Sequence, residues 1–70
     1  MEGSVIKFQV TIPANAPEEV FRSLYIFDPN VEIYEESTSE DKLVFTVVSD
    51  YPGMASVIDA IPGVEWEVLD

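Results

Sequence analysis

Asp28, Asn30 and Glu32 stand at alternate positions, the spacing with which a calcium-binding loop begins. Hard oxygen donors placed this way could share one divalent cation. The remainder of such a loop is missing. Ile33 stands where the sharp turn requires glycine, and Ser39 stands where a bidentate glutamate should close the shell, with Glu40 one residue late. Asp28-Pro29-Asn30 is therefore read as turn chemistry, and no specific metal site is expected. Loose attraction of divalent ions to Glu35, Glu36, Glu40 and Asp41 would need only their charge.

Catalytic chemistry has few carriers in this chain. It holds no histidine and no cysteine, which removes the commonest general base, the commonest activated nucleophile and the usual zinc ligands. Ser23, Ser49 and Ser56 have no base that spacing assigns to them. Carboxylates abound, but an acid–base pair needs an apolar pocket to separate its two pKa values, and 70 residues form one modest core. The sequence is read as non-catalytic and without a cofactor.

Charge is the most distinctive property. Fourteen acids face Lys7, Arg22 and Lys42, for a net charge of −11. Such a field repels phosphate backbones, so direct nucleic-acid binding is disfavoured. A protein partner with a basic surface fits better, because opposite charge speeds encounter and sets specificity. Asp28 to Asp41 alone carries six acids and no cation. In size and charge the chain resembles small acidic inhibitors encoded by mobile elements, including DNA mimics and some anti-CRISPR proteins, which occupy the cationic grooves of nucleic-acid-binding proteins.

Placing these residues requires the elements that carry them. Val5 to Ile12 alternates, with Ile6, Phe8, Val10 and Ile12 on one face and Val5, Lys7, Gln9 and Thr11 on the other, which predicts a half-buried strand. Asn15 suits a helix N-cap with Glu18 at capping-box spacing, and Pro17 fits the first turn. Val20, Leu24 and Phe27 then form a stripe that should face a sheet, until Asp28-Pro29-Asn30 ends the helix. Val31 to Glu36 predicts a second strand with an acidic outer face, and Ser37 to Asp41 a polar hairpin. In Leu43 to Val48, Val44, Thr46, Val47 and Val48 are β-branched, which suits a central strand. Asp50 or a neighbour should cap a short helix whose stripe is Met54, Val57, Ile58 and Ile61. Pro62-Gly63 stops it, and Val64, Trp66 and Val68 alternate with Glu65 and Glu67 in a last strand.

The order β-α-β-β-α-β predicts an α+β, ferredoxin-like fold: a four-stranded antiparallel sheet with strands one and three central and both helices on one face. The other face is then bare. Val5, Val44, Thr46 and Val48 should form its apolar or neutral centre, with Glu32, Tyr34, Glu36, Glu65 and Glu67 along its edges. An apolar patch inside a charged rim is the layout of a protein interface. The expected function is a non-catalytic interaction module that either dimerises or docks on, and inhibits, a basic partner. RNA recognition by this face is not expected, since the central strands lack aromatic platforms and cations.

Two family resemblances add alternatives. Val47-Val48-Ser49-Asp50-Tyr51-Pro52-Gly53-Met54, then Val57-Ile58 and Ile61-Pro62-Gly63-Val64, resembles the strand–turn–helix–strand of ACT-type regulatory domains. That resemblance implies an amino-acid-sensing regulatory domain, with Asp50, Pro52, Gly53 and Met54 nearest the ligand at a dimer interface. Val20 to Ile61 also resembles the small dimerising subunit of the KEOPS tRNA-modifying complex. The chain is read as one domain, residues 1–70, with Met1 to Ser4 set apart as a disordered end or a cloning remnant. No signal peptide or membrane span is apparent in the pattern, which makes the cytoplasm the expected compartment.

Overall fold

The computed structural model describes residues 5–15 and 17–69; the set-apart residues 1–4 therefore lie outside it. Its elements are β1 (Ile6–Pro13), α1 (Pro17–Phe27), β2 (Glu32–Thr38), β3 (Lys42–Ser49), α2 (Met54–Asp59) and β4 (Glu65–Val68). The strands form one antiparallel sheet in the order β2-β3-β1-β4, so β1 and β3 are central.

Alternation decides which side is covered. β1 pairs with β3 so that Phe8 meets Val47, Val10 meets Phe45 and Ile12 meets Leu43. All six are buried, in one cluster with Leu24 of α1 and Met54 and Ile58 of α2. Both helices therefore lie over the same face. Two edge-to-face aromatic pairs brace the core: Phe21 of α1 on Phe45 of β3 ties helix to sheet, with ring centroids 5.1 Å apart, and Phe8 on Trp66 ties β1 to β4 within the sheet at 5.8 Å. The Trp66 indole N–H also donates to Asp59 Oδ1 at 3.1 Å, fastening β4 to the end of α2. No helix of the described residues is long and apolar enough to cross a membrane.

Several local expectations shift. Phe27 does not join the core but stays 48% exposed at the end of α1, its ring 6.1 Å from that of Tyr51. Ile6, on the core side of β1, is 44% exposed. Helix α1 begins at Pro17 and Asn15 lies in the preceding turn, while residue 16 between them is outside the described residues. The cap of α2 is Gly53, with no side-chain cap, and Asp50 is exposed upstream of it. Strand β2 runs on to Thr38 because a bulge between Glu35 and Ser37 resets its register with β3, leaving the hairpin turn to Ser39, Glu40 and Asp41. Ser39 closes that turn by donating its N–H to the Lys42 carbonyl at 2.8 Å. After α2, the chain reverses at Gly63, whose φ of +75° suits glycine.

Candidate functional site

The uncovered face is built from side chains that alternate with the core. Reading across the sheet, Glu32 lies beside Val48 and Val48 beside Lys7; Tyr34, Thr46, Gln9 and Glu67 make the next row; Ser37, Val44, Thr11 and Glu65 make the third. Val44, Thr46 and Val48 are half-buried, flanked by strands on both sides. The apolar stripe is thus one strand wide. On the adjoining β1 the face becomes Lys7, Gln9 and Thr11, and Lys42 opens β3 on the same side as Val44, so two of the three cations sit on it. Val5, expected at the centre, lies beyond the start of β1 and is 58% exposed.

Acidic side chains line both margins, and two of them are held in place. Glu36 is the extra residue of the β2 bulge. Its carboxylate accepts the Thr46 hydroxyl proton at 2.9 Å, which draws it inward over the stripe. Glu32 Oε1 accepts the Tyr34 phenol at 2.7 Å. That bond, and the Glu32 charge beside it, raise the Tyr34 pKa above its ordinary value, because ionisation would break the bond and set anion against anion. At the opposite margin, Glu65, Trp66 and Glu67 with Gln9 and Thr11 border a shallow hollow of about 220 Å³.

The six acids from Asp28 to Asp41 do not form one array. Glu32 and Glu36 reach the open face, while Glu35 lies on the other side of β2 and Glu40 and Asp41 occupy the hairpin turn. Asp28 turns inward and is buried. Its Oδ2 accepts the Ser49 hydroxyl at 2.6 Å and its Oδ1 the Asn30 N–H at 3.0 Å, while Ser49 Oγ accepts the Tyr51 N–H at 3.0 Å. The spacing that opens like a calcium loop thus spends its first carboxylate as a latch between α1 and the end of β3. Local sequence marks Asp28 as a turn residue but carries no sign of a partner 21 positions away.

The positions implied by the ACT resemblance separate. Asp50 and Pro52 are exposed, Gly53 is half-buried at the α2 cap, and Met54 is a core residue. Gly53 borders a groove of about 570 Å³ between α1 and α2, which periodicity did not announce. A second hollow of about 380 Å³ shares Glu19, Val20, Ile61 and Pro62 with it and extends toward Pro13 and Asn15.

Element order, sheet order and helix placement together define an α+β protein of ferredoxin-like fold. No family model, no curated protein and no solved structure matches the chain.

Proposed function

We propose that the protein is a non-catalytic docking module whose open sheet face and acidic margins bind a protein with a Lys/Arg-rich surface, of the kind that contacts nucleic-acid phosphates. The observation that carries this reading is the Val44–Thr46–Val48 stripe with Glu32 and Glu36 along one margin and Glu65 and Glu67 along the other. The stripe supplies dehydratable surface and the carboxylates supply sign. A cationic side chain entering the hollow beside β4 would meet the carboxylates of Glu65 and Glu67. A second copy of the chain is the weaker occupant, since face against face would bring glutamates together under a net charge of −11 each.

The test uses a defined probe, a short Lys/Leu amphipathic peptide, with a Glu/Leu peptide as control. The Lys/Leu peptide should shift the amide resonances of Gln9, Tyr34, Val44, Thr46 and Glu67. It should be released as salt rises from about 0.05 M to about 0.5 M. Glu65→Lys with Glu67→Lys should weaken it, and the control peptide should not bind. Shifts spread evenly over every acidic surface, including Glu18 and Asp59, or a salt-stable dimer through the same face, would refute the proposal.

A further inference from the structure

We infer that the groove between α1 and α2 binds a small apolar amine: an alkyl or aryl body carrying a protonated amino head. The site is separate from the sheet face, and the inference does not depend on how that face is used.

The groove runs along α1 from Glu19 to Phe27 and faces the residues from Gly53 to Pro62, which include the six-residue α2. Val20, Phe27, Val57, Ala60, Ile61 and Pro62 give the groove mostly apolar walls, and its volume of about 570 Å³ falls in the range typical of small-molecule sites. Phe27 and Tyr51 close one end, their rings inclined at 43°. Gly53 lets Tyr51 lie close, since a Cβ there would stand 3.1 Å from the Tyr51 ring. The hydroxyl-bearing Ser23 and Ser56 border the groove between them.

The sign of the ligand follows from Glu19. It borders both the main groove and the adjoining hollow, at the seam where they meet, with Asn15 farther along the second. Among the described residues no lysine or arginine lines either hollow, although Arg22 is on the same helix. A carboxylate or phosphate head would meet Glu19 unpaired inside the field of a chain of net charge −11. A protonated amine would meet the Glu19 carboxylate at the seam.

The probe is one apolar body with three heads: 4-butylbenzylamine, 4-butylbenzyl alcohol and 4-butylbenzoate, titrated against the full chain and followed by amide chemical shifts. The amine should bind tightest, the alcohol more weakly and the benzoate weakest, with shifts centred on Ser23, Ser56 and Ala60. Glu19→Gln should lower the amine affinity about threefold, the effect of one exposed ion pair, and leave the alcohol unchanged. Ser56→Phe and Ser23→Phe, both at exposed helix positions, should each block all three ligands while thermal unfolding stays cooperative. Equal or tighter binding of the benzoate, an amine affinity untouched by Glu19→Gln, or shifts centred on Gln9 and Thr46 of the open face would overturn the inference. So would full binding in both filled variants.

Discussion

Replacing Ser49 by alanine should cost far more than a serine on a strand ordinarily would. Ser49 is 4% exposed and Asp28 7%, so water cannot readily replace either partner. The hydroxyl donates to a carboxylate at 2.6 Å and accepts the Tyr51 N–H at 3.0 Å. A hydrogen bond to a charged group contributes about 1.5–3 kcal/mol, and a partly buried N–H left without an acceptor adds roughly 1 kcal/mol. Ser49→Ala should therefore lose about 2–4 kcal/mol. A domain of this length has roughly 4–10 kcal/mol in total, so the loss is a large fraction of it. Urea unfolding followed by far-ultraviolet circular dichroism measures it. With a slope of about 1 kcal/mol/M, the midpoint should fall by about 2–4 M. Asp28→Ala and the double variant complete a cycle, and the pair should show a coupling of about 1–2 kcal/mol. A midpoint shift below about 0.5 M, or a coupling near zero, would refute the latch.

Gly63→Ala should cost about 1–3 kcal/mol, because φ is +75° and the new Cβ would lie 3.0 Å from Pro13 Cγ. Gly53→Ala faces only a movable Tyr51 ring and should cost less, so the reverse order in thermal melts would refute the assignment. Tyr34 should ionise above the ordinary value near 10, and Glu32→Gln should bring it back down; absorbance at about 295 nm across alkaline pH, with Tyr34→Phe as reference, reads this directly. Because the folded-state pKa is raised, the stabilisation from this pair is intact below pH ~10 and is lost as pH climbs through the raised value. With 14 acids against three cations, the melting temperature should rise from low to moderate salt, and a fall would contradict net self-repulsion.

Much of the architecture was legible because it rests on short-range pattern. Period-two alternation in β1 and β3 assigns Phe8, Val10, Phe45 and Val47 to one face and Val44, Thr46 and Val48 to the other, and the pairing obeys it. What escaped depends on geometry between elements. The bulge at Glu36 carries no glycine or proline to mark it, so β2 ends two residues later than alternation suggests. Phe27 completes the i, i+4, i+7 stripe of α1, yet the helix stripe outlasts the surface available to cover it. The Asp28–Ser49 bond joins the turn after α1 to the end of β3, and each looks sufficient by itself. The interhelical groove lies between α1 and the segment from Gly53 to Pro62, and side-chain periodicity within either one does not encode the space between them. On the candidate face, the glutamates at the margins and the Lys7, Gln9 and Thr11 row were legible from alternation, whereas Val5 misses the stripe because β1 begins only at Ile6.

The seating of Trp66 gives the molecule a built-in optical gauge of its last strand. The chain's one indole rests edge-on against Phe8 and is tethered to Asp59, while β4 has just four residues holding it to β1. Peeling of that strand would strip away both contacts at once and move the emission maximum to the red. The remaining three strands and both helices could stay assembled meanwhile. Emission wavelength and backbone ellipticity, recorded on the same sample, would then part company wherever the sheet loosens from its β4 side first.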